Sequence, residues 1–337
     1  MADRVPRIDI SPPLLNSACP WATTREDLEA LFRCSFTGAI TIRTSLLGEG
    51  FRHDPDIHQY TFFDPVTHAT NDGTESSTAT IPETASLNTL GYSPVPLETY
   101  LSYISDISRG ISKPTNKLII VSVTGTPDDV AECYCFIAKH SLQVNIPLAM
   151  EVNLSCPNIP NAPPPAYSGE ALSRYLAVLK AVISTTPELP RIPFGLKTPP
   201  YTYADQFKTL LSALASAGSP CPVSFLTATN TLGSCLVLAN EDGAPGKPRL
   251  PGLGVGGMAG APLHPLALGN VSTLRRMLDA SEATNHVDII GVGGVEDGFG
   301  YGRMRGAGAA AVGLATALGR KGLKVFEEIG PNTNHPH

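Results

Sequence analysis

The strongest constraint on this chain is a rhythm. About eight apolar, strand-like runs recur from one end to the other, at 14–18, 39–43, 118–124, 149–155, 193–197, 224–230, 288–293 and 310–316. Amphipathic, helix-like stretches lie between them, near 97–108, 127–139, 169–185, 203–217, 264–280 and 319–329. Strands alternating with helices build parallel sheets, and eight such units are the number that closes a barrel. The expected fold is therefore α/β, a TIM (β/α)8 barrel, with residues 1–330 as a single domain and 331–337 as a frayed tail. An early helix start is marked by Thr23 and Glu26, which have capping-box spacing.

Two segments break the rhythm. The first, 48–84, is long and polar, and only the run from His58 to Phe63 resembles ordered structure. The second, 238–262, is rich in glycine and proline. Loops of this length are commonly functional, and both are expected to be excursions over the C-terminal face of the barrel, where such folds place their chemistry.

Composition narrows the class of partner. With 42% hydrophobic and 16% charged residues, the 337-residue chain can bury a large core and is not disordered. A net charge of -6 without a Lys/Arg cluster offers no footprint for nucleic acid or an anionic membrane. A small-molecule ligand is the expectation. Seven cysteines without a Cys-x-x-Cys pair argue against a disulfide framework and against zinc. The N-terminal residues carry no targeting pattern and no stretch is apolar enough to span a bilayer, so a soluble cytoplasmic protein is expected.

Reading only the expected strand ends collects a polar set. It comprises Arg43 and Thr44, Asn153 with Cys156 and Asn158, Lys197, the run Thr229-Asn230-Thr231, Gly293-Gly294, and Ala315-Thr316. Cys156 ends the stretch Glu151-Val-Asn-Leu-Ser-Cys before Pro157 turns the backbone away. Its bland role is a small buried hydrophobe. The flanking amides favour instead a site that holds a planar polar substrate beside a base. Lys197 precedes Thr-Pro-Pro, and an ammonium there either snorkels past the rim or meets an anion or an electron-rich ring. With Asn88, the four asparagines are single turn formers, or a polar cage if they converge. The small residues of the last two strand ends either permit tight turns or expose N–H groups to a phosphate.

Other chemistries find less support. No His-x-x-x-His or His-Glu-x-x-His spacing favours a metal hydrolase, and no Gly-x-Ser-x-Gly elbow favours a serine hydrolase. The glycine run from Gly252 to Gly260 falls in a loop rather than between a strand and a helix, which makes it a weak dinucleotide fingerprint.

Taken in order, several motifs resemble one family, the dihydroorotate dehydrogenases, and within it the soluble class whose base is a cysteine. They are Leu15-Asn-Ser-Ala, Thr24-Arg-Glu-Asp-Leu-Glu, Ser86-Leu-Asn-Thr-Leu-Gly91, Asn153-Leu-Ser-Cys-Pro-Asn-Ile-Pro, Gly195-Leu-Lys-Thr-Pro-Pro-Tyr, Asn230-Thr-Leu-Gly and Ile290-Gly-Val-Gly-Gly-Val-Glu-Asp-Gly. The resemblance implies an FMN barrel that oxidises dihydroorotate to orotate in pyrimidine synthesis, with fumarate as acceptor, as a cytoplasmic homodimer. It implies Cys156 as the base that takes the C5 proton while hydride leaves C6 for flavin N5, and Lys197 beside the flavin. It implies Ala18, Arg43, Thr44, Asn153, Thr229, Gly260, Gly293, Gly294, Ala315 and Thr316 at the cofactor. Arg43, Asn88, Gly91, Asn153, Asn158, Asn230 and Thr231 would hold the substrate. The chain departs from the family at Arg43 (usually lysine), Cys19 (glycine), Val292 (threonine) and Ala315 (glycine). These departures keep open an alternative, a diverged flavin enzyme acting on another pyrimidine or a cyclic enone-like acid. A catalytically silent barrel is the third reading.

Overall fold

The computed structural model describes residues 4–70, 82–111, 115–156, 164–239 and 246–334. In chain order the strands are β1 (Leu14–Asn16), β2 (Ala39–Thr41), β3 (Tyr60–Phe63), β4 (Ala85–Asn88), β5 (Leu118–Val123) and β6 (Leu148–Asn153). They continue with β7 (Phe194–Thr198), β8 (Phe225–Ala228), β9 (Leu232–Leu236), β10 (Val255–Gly260), β11 (Asp288–Val292) and β12 (Ala311–Leu314). The helices are α1 (Arg25–Arg33), α2 (Leu97–Arg109), α3 (Pro127–Ser141), α4 (Gly169–Thr185), α5 (Ala204–Ala217), α6 (His264–Asp279), α7 (Gly298–Gly306), α8 (Thr316–Lys321) and α9 (Lys324–Ile329).

Eight parallel strands form one sheet in the order β1-β12-β11-β8-β7-β6-β5-β2. All eight coincide with the runs expected from the sequence, because strands buried on both faces read as continuous apolar segments. The sheet closes between β1 and β2 by a side chain. Asn16 donates to Thr41 O at 2.6 Å and accepts from Thr41 N at 3.1 Å, supplying the ladder pair that the two strands do not make themselves. Inside, Leu15, Ile120, Ala149, Phe225, Ile290 and Val292 pack together as an apolar floor. Between sheet and helices lies a second, larger apolar layer that includes Tyr100, Tyr134, Leu179 and Phe326.

The excursions contribute regular structure that their composition does not suggest, although 71–81 and 240–245 lie outside the described residues. β3, β4, β10 and β9 form an antiparallel four-stranded sheet, so both irregular segments contribute strands to one structure. The glycine run contains β10, and a Cβ at Gly256 would lie 2.4 Å from Asn88 O, so only glycine allows this approach.

Three expectations need correction. The capping box of α1 is formed by Thr24 and Asp27, one residue later than read, since Asp27 Oδ2 accepts from the backbone N–H of both Thr23 and Thr24. The last expected helix is two, interrupted at Gly322, whose φ of +62° takes the chain out of the helix. The region assigned to a fraying tail forms a 3-10 turn over Gly330–Asn334, with Asn332 Nδ2 donating to Ile329 O at 3.2 Å; residues 335–337 lie outside the described residues. The helix α7 was not anticipated, because Gly298-Phe-Gly-Tyr-Gly carries no apolar period. Among the described residues, no helix is long and apolar enough to cross a membrane.

Candidate active site

The C-terminal ends of the barrel strands and the overlying four-stranded sheet enclose two adjoining compartments. A chamber is lined by Arg43, Thr44, Asn88, Gly91, Asn153 and Cys156. Next to it is a narrower compartment lined by Thr229, Gly260, Gly293 and Gly294. Ala18, Lys197, Asn230, Thr231, Ala315 and Thr316 line both. Every expected site residue thus faces one of two connected spaces, except Asn158, which lies outside the described residues.

Amides and hydroxyls at the chamber floor are bonded mainly to one another. Asn153, at the end of β6, donates to Thr44 Oγ1 at 3.0 Å, while its Oδ1 accepts from Ser155 Oγ at 3.0 Å and from Asn230 Nδ2 at 3.3 Å. Asn230 also donates to Ser155 Oγ at 3.0 Å, and its Oδ1 accepts from Thr231 N at 2.8 Å. Across the mouth, Asn88 Nδ2 donates to Gly257 O at 3.1 Å. The sequence offered single turn formers or, on convergence, a polar cage. Instead the asparagines form a scaffold that holds its members in fixed rotamers, which preorganises whatever polar valences face the chamber. For Asn153, one of two amide N–H hydrogens remains after the bond to Thr44. The same network continues inward through Thr44 Oγ1 and Ser122 Oγ (3.0 Å) to the buried carboxylate of Glu151, which accepts from Ser122 at 2.8 Å.

Among the described residues, two cations and no carboxylate line the chamber. Lys197, one residue before the end of β7, is only 4% exposed and donates to Ser17 Oγ at 3.1 Å. Arg43, beyond β2, donates through Nη2 to Gly91 O at 3.2 Å and to His53 Nε2 at 3.1 Å. Burial lowers the Arg43 guanidinium from its usual range. Beside them, burial drives the Cys19 thiol up to about 12, although a hydrogen bond with the Trp21 backbone and the charges of Lys197 and Arg43 oppose the shift. Cys19 is thus a neutral thiol at the site.

The narrower compartment is built of turns. Gly260 (φ +86°) and Gly294 (φ +65°) bring two backbones together, and a Cβ on Gly294 would lie 2.5 Å from Gly260 O. The buried hydroxyl of Thr229 has no hydrogen-bond partner there. Unsatisfied buried polar atoms call for a ligand or ordered water.

Several residues of the site were not singled out from the sequence. Trp21 forms a chamber wall, stacked on Phe62 at 5.6 Å and edge-on to Tyr60 at 5.7 Å. Tyr92 lines the chamber, its phenol pushed up by burial and by the Cys156 charge. His53 stands behind Arg43, and His264 bonds Gly293 O at 2.7 Å through Nδ1 and accepts from Arg303 Nε at 3.1 Å. None carries a local motif; a histidine in an irregular segment gives no sign of which strand end it will meet.

Comparison with known proteins adds the lineage. A family model described as dihydroorotate dehydrogenase matches residues 57–335. The dihydroorotate dehydrogenase (fumarate) of Trypanosoma cruzi (strain CL Brener) is 28% identical over 320 residues, which cover 94% of this chain and 87% of that protein. The dihydroorotate dehydrogenase A (fumarate) of Lactococcus lactis subsp. lactis (strain IL1403) is 27% identical over 317 residues, covering 94% and 88%. Among solved structures, ligand-free DHODH from Eimeria tenella superposes with a TM-score of 0.69 at 16% identity over 95% of this chain and 83% of that one. That likeness supports the barrel fold.

Proposed function

This chain belongs to the dihydroorotate dehydrogenase family, and from that premise we propose that it is an FMN-dependent oxidoreductase converting (S)-dihydroorotate to orotate in de novo pyrimidine synthesis, with fumarate as acceptor. The observation that carries this reading is the convergence of the Cys156 thiol, the buried Lys197 ammonium and the Asn153–Asn230 scaffold on one chamber.

The residues present suit the cofactor. A buried ammonium beside a chamber that no carboxylate lines among the described residues suits an electron-rich ring, and the adjoining glycine turns with the orphaned Thr229 hydroxyl suit a polar, phosphate-bearing tail. Ala18, Arg43, Thr44, Asn153, Lys197 and Thr229 would hold the ring and its edge, and Gly260, Gly293, Gly294, Ala315 and Thr316 the remainder. When bound, FMN supplies the acceptor for the hydride that leaves substrate C6.

The chain's own residues do the rest. Cys156 Sγ removes the C5 proton, a task for a base positioned within hydrogen-bond reach. Arg43, Asn88, Gly91, Asn153, Asn158, Asn230 and Thr231 orient the pyrimidine ring and its carboxylate. Lys197 offsets negative charge that develops beside it. The neutral Cys19 and the Trp21 wall limit water in the chamber. We further propose that residues 1–330 act as one FMN-binding domain and that the protein works as a cytoplasmic homodimer.

The test is anaerobic. Purified protein is expected to be yellow, to bleach on mixing with dihydroorotate and to regain colour with fumarate; colourless protein that takes up no FMN overturns the reading. A second reading, oxidation or reduction of another pyrimidine or cyclic enone-like acid, draws on Arg43 being tied to His53 and Gly91. Bound flavin that dihydroorotate fails to bleach selects it.

A further inference from the structure

We propose that His53 is the positioning residue for Arg43, and that it works as an uncharged acceptor, so that its protonation releases the guanidinium and weakens anion binding in the chamber. This rests on the reading of the chamber as the site of an anionic pyrimidine.

The tautomer follows from donor chemistry. Arginine has N–H donors and no acceptor, so the 3.1 Å contact between Arg43 Nη2 and His53 Nε2 requires a lone pair on Nε2 and the proton on Nδ1. Nη2 uses its second hydrogen on Gly91 O. With Nη2 bound on two sides, the guanidinium plane is set, and among the described residues the Nη1 and Nε donors of Arg43 make no hydrogen bond, which leaves them available to a carboxylate in the chamber that Arg43 lines. A lysine at this place has a single rotatable ammonium and would not need such a tie.

His53 is itself held in place. Its ring meets Phe51 edge-on at 5.1 Å and His58 at 5.5 Å, and Phe51 meets Tyr92 at 6.0 Å. His58 Nδ1 accepts from Asp54 N at 2.8 Å, which fixes the second imidazole as well. The excursion after β2 thus delivers an acceptor to the back of Arg43, and this aromatic cluster keeps it there.

The surrounding charges agree with an uncharged ring. Burial lowers the His53 pKa first, and Arg43 and His58 lower it further, against a hydrogen bond to the Phe51 backbone that raises it. Tyr92 is pushed up by burial and carries no charge near neutrality. Around Arg43, Tyr100 and Cys19 are both driven up to about 12 by burial, and Cys156 is the third titratable neighbour. Since the folded pKa of His53 lies below its usual 6.5, the tie is intact at neutral pH and is lost as pH falls through that lowered value.

The experiment measures orotate affinity of the FMN-loaded protein, by perturbation of flavin absorbance, from pH 5 to 8 in the natural sequence, His53→Gln and His53→Ala. Glutamine offers an oxygen acceptor that does not titrate. The natural protein is expected to bind evenly above about pH 6.5 and to weaken roughly tenfold per unit below the lowered pKa. His53→Gln should keep the neutral-pH affinity and lose most of the acid limb, whereas His53→Ala should bind about tenfold or more weakly throughout. An acid limb unchanged in His53→Gln, or full affinity in His53→Ala, overturns the proposal. Imidazole nitrogen NMR gives an arm that needs no substrate: an Nδ1–H tautomer is expected, with a pKa that rises in Arg43→Met. The opposite tautomer or an unmoved pKa defeats the positioning role even if orotate does not bind, while absent orotate binding with the expected tautomer defeats only the functional reading.

Discussion

The carboxamide of Asn16 stands in for a strand of sheet. It pairs with both the N–H and the C=O of Thr41, 25 residues away, at the one seam where the parallel strands do not bond through a continuous backbone ladder. Asn16→Ala leaves two buried backbone groups without partners, each costing about 1–3 kcal/mol. Urea unfolding should therefore show a loss of about 2–6 kcal/mol, whereas Asn16→Asp, which keeps an acceptor and loses the donor, should fall between the natural protein and Asn16→Ala.

Cys156 is the proposed base, and Cys156→Ser should slow anaerobic flavin reduction by dihydroorotate by about 100-fold or more at pH 7, with recovery as pH rises. Stopped-flow absorbance measures it. A rate equal to that of the natural protein removes the thiol from the mechanism.

Cys19 should be inert although it lines the same chamber. With its thiol at about 12, roughly one molecule in ten thousand carries the thiolate at pH 8. Iodoacetamide followed by peptide mapping should leave Cys19 unlabelled in the native protein and label it in urea. Labelling of native Cys19 at pH 8 contradicts the burial-driven shift.

Gly319 lets α8 pass the chamber wall. A Cβ there would lie 2.2 Å from the Trp21 ring, with backbone on one side and an indole packed against Phe62 and Tyr60 on the other. Gly319→Ala should cost about 1–3 kcal/mol through overpacking. As Trp21 is the only tryptophan, its emission should shift in the same variant; an unchanged spectrum with unchanged stability refutes the contact.

Glu296 forms a partly buried pair with Arg320 at 3.2 Å beside the glycine turns. Burial raises its pKa against the pull of Arg320 and Lys321. A raised carboxylate costs stability above its unfolded pKa, so Glu296→Gln should gain stability near neutral pH relative to its behaviour at pH 4. Melting temperatures of the two proteins at pH 4 and 7 check it, and a difference that does not move in favour of Glu296→Gln between pH 4 and pH 7 overturns it.

Much of this was legible in the chain because the signals are local. The eight barrel strands are buried on both faces, and such strands announce themselves as apolar runs whatever they pair with. Strand ends follow directly, and in a barrel they share one face, so Arg43, Asn153, Lys197 and Asn230 meet without any further information. The four-stranded sheet was hidden because β10 is Val-Gly-Gly-Met-Ala-Gly, where glycine serves the approach to Asn88 and erases the strand pattern. The helix α7 was hidden for a related reason.

What the sequence alone determined is the barrel, its chemistry-bearing rim and the order of its motifs, since periodicity and residue type act within a few positions of each other. Which hydrogen-bonding valences are spent, and on what, was decided only by the tertiary structure. Asn153 and Asn230 are 77 residues apart and use their amides on each other; His53 reaches Arg43 from an excursion with no period of its own; Asn16 closes the sheet rather than facing the site. A hydrogen bond exists only within about 3.5 Å and a narrow range of angles, and that precision arises from packing the whole fold.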